Sequence, residues 1–158
     1  MIKRVFALAI LTLGALTLPA AADANPWLGT WTIDVAKSSF SPGPAPKSDV
    51  IVTTDAAGGK VHSDVTVVAA DGKTQHTEAT YAYDGNDYPV TGGPQGQTVA
   101  LQQDSKTHTL TVTVKVNGKV TGTTTSVMAS DGKSFTGTTT GTTPDGKPVK
   151  NVAVFNKS

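Results

Sequence analysis

Two histidine–carboxylate pairs, His62-x-Asp64 and His76-x-Glu78, are the residues with the most obvious chemical potential. Alternate residues of a strand share a face, so imidazole and carboxylate at this spacing could ligate Zn²⁺, and an open coordination position could activate water. Nothing in the spacing forces the four groups to converge, and no further polar group is placed to orient the imidazoles, so a solvated outer face holding no metal is expected. His108 is remote in sequence. The many Ser, Thr and Asp residues do not form a hydrolase signature: there is no G-x-S-x-G elbow, and the aspartates fall mostly in turns, where Asp serves the backbone. Gly92-Gly93-Pro94 is not followed by the G-K-[ST] of a phosphate loop. No catalytic residue and no cofactor is therefore expected, and the chain does not read as an enzyme. Binding is the remaining chemistry. Tyr81, Tyr83 and Tyr88, with Phe155, could offer ring faces and hydroxyls to a small neutral or apolar molecule; the competing reading is a core tyrosine pair beside a surface loop.

Charge and composition narrow the partners. Residues 1–24 read as a signal peptide: Lys3-Arg4 form a basic start, Val5 to Leu18 a short apolar run, and Ala20-Ala21-Ala22 or Ala22-Asp23-Ala24 a cleavage site. Residues 25–158 would then be a single domain delivered to the periplasm or exterior of a bacterium. Removal of the leader leaves eleven lysines against eleven acids and no arginine. A neutral chain without arginine argues against nucleic acid and against a polybasic membrane contact. With no cysteine, neither disulfides nor a lipidated anchor is available. The expected form is a monomer that inserts into no membrane.

These residues must be positioned by strands. Asp71-Gly72-Lys73, Asn117-Gly118-Lys119, Asp131-Gly132-Lys133 and Asp145-Gly146-Lys147 repeat one turn signal, the last three glycines 14 residues apart. Asp/Asn-Gly supplies the positive-φ position that suits a hairpin, and Thr/Val-rich runs fill the intervals. Strands are predicted near 28–35, 48–54, 60–68, 74–83, 98–103, 107–115, 119–129, 134–142 and 148–156, about nine in all. Pro42, Pro44 and Pro46 make 36–47 a loop with Phe40 as its apolar anchor, and 84–97, with four glycines and two prolines, reads as the longest irregular stretch. An antiparallel up-and-down meander of this kind is most simply closed into a barrel, which removes both exposed edges; a sandwich or curled open sheet is the alternative.

Register follows from turn chemistry. A three-residue Ala70-Asp71-Gly72 loop pairs Val65 with Thr77 and puts Val61, Val65 and Val67 on one face with Ala79, Tyr81 and Tyr83. A two-residue turn would instead bury Glu78 beside Val65 without a cation. The same rule at Thr143-Pro144-Asp145-Gly146 pairs Phe135 with Phe155. Trp31 is expected as a plug at one end of the barrel, with Lys157 either over its ring or in solvent.

Trp27-Leu28-Gly29-Thr30-Trp31, followed by Ser38 and Phe40, resembles the first strand of the calycin group, the lipocalins and fatty-acid-binding proteins. Val152-Ala153-Val154-Phe155 is similar to their last strand. With KSSFSPGPAP at 37–46, YDGNDYPVTG at 83–92 and DGKPVKNVAVF at 145–155, the chain also resembles an uncharacterised group of secreted bacterial proteins of lipocalin-like type. The resemblance implies a calycin-type barrel and export. Two departures matter. A Pro-rich loop stands where fatty-acid-binding proteins have a helical lid, and Ala153-Val154-Phe155 replaces the R-x-Y that clamps a fatty-acid carboxylate. The functional expectation is a carrier for a neutral or apolar ligand; the alternative is a structural or envelope-interaction module with a filled core. Cavity volume separates the two.

Overall fold

The computed structural model describes residues 25–143 and 145–158; the expected signal peptide and Pro144 lie outside them. Ten antiparallel strands follow one another: β1 (Gly29–Ser39), β2 (Ser48–Ala56), β3 (Lys60–Val68), β4 (Thr74–Tyr81), β5 (Asp84–Thr91), β6 (Gln97–Asp104), β7 (Thr109–Val116), β8 (Lys119–Met128), β9 (Ser134–Thr142) and β10 (Pro148–Lys157). Each pairs with its neighbours in sequence and β1 pairs with β10, which closes the barrel. The described residues contain no helix. Closure gives every strand a paired neighbour on both sides, the physical reason a meander of Thr/Val strands settles here.

The expected register holds at the hairpins that set it. Val65 pairs with Thr77 and Val61 with Tyr81, and the Ala69 N–H donates to the Lys73 carbonyl at 2.8 Å, which closes the loop at Gly72 (φ 88°). Phe135 pairs with Phe155, and the rings stack with centroids 4.8 Å apart.

The stretch 84–97 is the correction. It is not irregular throughout: residues 84–91 form β5, and the true turn is only 92–96. The glycines and prolines misled because this strand is only loosely tied on one side. The β4–β5 ladder consists of Glu78↔Thr91 and Ala79↔Val90, and Pro89, which has no N–H to give, falls just beyond it while pairing with Thr98 of β6. The extra strand brings the count to ten rather than nine.

One end of the barrel is packed solid. Trp27, Trp31, Val61, Tyr81, Leu101, Leu110, Met128, Phe135 and Phe155 form a contiguous buried cluster there. Trp31 is 1% exposed; its edge meets Phe135 at 5.0 Å, and its indole N–H donates to the Trp27 carbonyl at 3.0 Å. The same carbonyl accepts from the Thr53 hydroxyl at 2.6 Å, which ties β2 to the segment before β1. Lys157 does lie over the Trp31 ring, Nζ 4.9 Å from the centroid, and donates to the Pro26 carbonyl. Its Cε occupies the space that a side chain at Gly29 would need, so Gly29 is what allows the lysine to cap the plug. Farther along β1 the pairing with β10 slips between Asp34 and Ser39. Ser38 mends the slip: its hydroxyl donates to the Asp34 carbonyl at 2.7 Å and accepts from the Val154 N–H at 3.0 Å.

Candidate functional site

Above the aromatic end the interior is not filled. A cavity of about 410 Å³ runs along the barrel axis. Its cause is residue size. The middle and upper inward positions carry Ser63, Ala79, Thr124, Ser126, Gly137 and Ala153 among others, whereas the floor carries Trp, Phe, Tyr and Leu. Side chains this small on facing strands cannot meet across a ten-stranded barrel. The wall is mainly apolar, from Ile33, Ile51, Val65, Val99, Val112 and Val114. Phe40, the anchor expected of the Pro-rich loop, lines it as well. That loop is pinned to β10, where the Ser41 N–H donates to the Asn151 side-chain carbonyl at 3.1 Å and the Lys150 N–H to the Ser41 carbonyl at 2.8 Å.

Of the ligand-contact residues predicted from sequence, Tyr81, Tyr83 and Phe155 line this cavity. Tyr81 and Tyr83 meet edge to face at 5.8 Å, and burial raises the pKa of both phenols, so each is a neutral hydrogen-bonding group at any physiological pH. Tyr83 accepts from the Asn25 amide at 3.3 Å. Tyr88 is placed differently. Its hydroxyl donates to Asp84 at 2.9 Å, and Lys60 sits over its ring at 5.5 Å; it packs against the core cluster but is not among the residues that line the cavity.

Asp49 is the residue that sequence reasoning missed. It lies on β2, two residues before Ile51, whose pairing with the inward Trp31 fixes the inward parity of Asp49, Ile51 and Thr53. Its neighbour across the ladder is Val67. Burial pushes its carboxyl up to about 6, with no charged partner contributing. Its Oδ1 is sealed from solvent and has no hydrogen-bond partner. The signal that could have found it was weak, because Val50 and Val52 on the opposite parity make the strand look as if it faces the other way.

Other interior polar groups are satisfied. Thr53 donates to Trp27, and Thr124 and Thr139 bond each other at 2.8 Å; Glu78 borders the cavity, but its half-exposed carboxylate is held on the outside by His76 Nε2 at 3.0 Å. No lysine or arginine is among the described residues that line the cavity.

On the outer face, Asp64, His76 and Glu78 come together, each offering a ligand atom within 4.8 Å of the others. His62 does not join them; its Nδ1 bonds the Thr80 hydroxyl at 3.0 Å. The three-residue cluster is built as an ion pair: His76 Nδ1 is 3.4 Å from Asp64 and Nε2 3.0 Å from Glu78, all half-exposed. The hydrogen bond to Glu78, with help from the charge of Asp64, raises the His76 pKa, and the same hydrogen bond with the imidazolium charge lowers that of Glu78. Glu78→Gln is expected to return the His76 pKa toward its ordinary value near 6.5 in an NMR titration. An unmoved pKa would show that the Asp64 charge alone supports the imidazolium.

No protein-family model matches the chain, and no curated protein matches it. Solved structures do. Fatty-acid-binding protein 1 of Echinococcus granulosus superposes with a TM-score of 0.57 at 16% identity, over 84% of this chain and 97% of that one. The N57A mutant of the fluorescent protein UnaG gives 0.56 at 16% identity, over 84% and 96%. This chain therefore has the calycin-type barrel fold, closed and up-and-down, in ten strands.

Proposed function

We propose that the protein is an exported carrier that holds a small, mainly apolar molecule in the barrel interior. The observation that supports this reading most is the cavity: about 410 Å³ with a largely apolar wall, within the range of small-molecule sites and too large for a core that exists only to be packed. A structural module with a filled interior, the alternative from sequence, is disfavoured by the same volume. Neutral phenols at Tyr81 and Tyr83 supply hydrogen bonding at the floor without adding charge. The fold neighbour from Echinococcus is by name a fatty-acid-binding protein, but that ligand is a poor fit to these walls. A buried carboxylate needs a cation or several donors, and the lining described here offers Asp49 instead.

Native mass spectrometry of protein purified from its own host tests the carrier reading, which expects a retained small molecule. Ligand class is tested by titrating the delipidated protein with a fatty acid and its methyl ester. The ester is expected to bind about tenfold tighter or better at neutral pH, because the acid must bring an unpaired carboxylate into a cavity that already holds one. Tighter binding of the acid would refute the reading that these walls disfavour an anionic ligand.

A further inference from the structure

The carrier reading leaves the purpose of Asp49 open. An acid in a cavity wall is out of place if the cavity holds only hydrocarbon: burial disfavours its charge, and a leucine or threonine would pack without that cost. In this barrel the surroundings could have neutralised it and do not. None of the ion pairs among the described residues involves Asp49. The nearest cation in sequence is Lys47, just before β2, exposed, with its ammonium beside Gly72 at the tip of the β3–β4 turn. On β3, its cross-strand partner is the apolar Val67, and Val65 lines the cavity beside it. On β4, Thr77 lines the cavity, and the Glu78 carboxylate is committed to His76. From β10 comes Asn151, whose side-chain carbonyl is taken by Ser41. Asp49 Oδ1 thus has no hydrogen-bond partner, and no cation neutralises the carboxylate.

We propose, resting on the carrier reading, that Asp49 selects an apolar molecule bearing a protonated amine, with the ammonium held by the Asp49 carboxylate and the apolar body lying along the cavity toward Tyr81 and Phe155. An ammonium supplies three donors and a full opposite charge, the partner that the Asp49 carboxylate lacks. The body fits the remaining space. From Asp49 to Thr53, which is bonded to the Trp27 carbonyl at the packed end, β2 advances about 13 Å. That leaves the wall of Ile51, Val65, Val99 and Val112 for an aliphatic or small aromatic segment. The pairing also gives the site a direction: polar end near the start of β2, apolar end against the aromatic floor. It is the inverse of a carboxylate clamp, with acid on the protein and base on the ligand.

The test uses one apolar chain with three head groups: decylamine, decanol and decanoic acid, each read by displacement of the neutral dye Nile red from the delipidated protein at neutral pH. The amine is expected to bind about tenfold tighter than the alcohol, and the acid more weakly than either. In Asp49→Asn, which keeps the shape and removes the charge, the amine's advantage over the alcohol should disappear, while decanol should still displace Nile red. Lowering the pH of the wild type through the Asp49 titration should erase the same advantage without any substitution, so the result does not depend on the variant folding. Equal binding of amine and alcohol, or an amine advantage that survives Asp49→Asn, overturns the proposal and leaves the carrier intact. Failure of Nile red and of all three compounds to bind overturns both.

Discussion

Trp31→Ala is expected to remove about 3–5 kcal/mol of stability, as full truncation of a buried Trp does. Three independent contacts converge on this ring. Phe135 meets it edge to face at 5.0 Å, Lys157 caps it at 4.9 Å, and its N–H satisfies the Trp27 carbonyl at 3.0 Å. Against a total of 5–15 kcal/mol for a domain of this size, the loss brings the protein to the edge of unfolding at physiological temperature. Trp31→Phe separates area from hydrogen bond. It keeps much of the packing, and the Trp27 carbonyl retains the Thr53 hydroxyl, so about 1–2 kcal/mol should be lost. Urea denaturation followed by circular dichroism measures both, since the fold has no cysteine chemistry to complicate reversibility. A loss below about 1 kcal/mol for the alanine variant would mean that the plug is dispensable and closure of the strands alone holds the barrel.

Tyr81, Phe135 and Phe155 could be assigned to the interior from sequence because short turns propagate register. Once Gly72 fixes Val65 opposite Thr77, every alternate residue of both strands is assigned to a face. The same logic joins Phe135 to Phe155. It fails where a connection is long. Between β1 and β2 the loop runs from Phe40 to Lys47, and a loop of that length fixes no register, so the inward parity of Trp31 could not be carried across to Ile51 and Asp49. Local pattern then pointed the wrong way, since Val50 and Val52 outweigh an aspartate. The cavity was illegible for a different reason. Whether small inward residues on separate strands stack into one void depends on how all ten strands align, and Gly137, Ala153 and Ser126 sit on three of them.

Asp49 should leave a signature in the pH dependence of stability. Its carboxyl titrates at about 6 in the folded barrel, against about 3.9 in an unfolded chain. Below about pH 4 the group is protonated in both states and contributes nothing. Between the two values the folded state holds a proton that the unfolded state has released, so stability from this group falls as pH rises, and the full penalty is present above about pH 6. A gap of two units corresponds to about 2–3 kcal/mol. Asp49→Asn removes the penalty without changing shape, so the variant should match the wild type near pH 4 and exceed its stability by about 2 kcal/mol near pH 7.5. The other acids with shifted pKa values, Asp34, Asp71, Glu78, Asp84, Asp104 and Asp145, are all lowered by hydrogen bonds or neighbouring cations. They favour stability at higher pH and lose it on acidification, the opposite sign, so only the difference between wild type and variant isolates Asp49. Urea midpoints for both proteins across this range measure it. Curves that run parallel would show that solvent reaches the carboxylate and that the cavity is wet enough to hydrate a charge. Curves that converge at acid pH would place an uncompensated negative charge in the cavity wall at neutral pH, where a cationic ligand would relieve it.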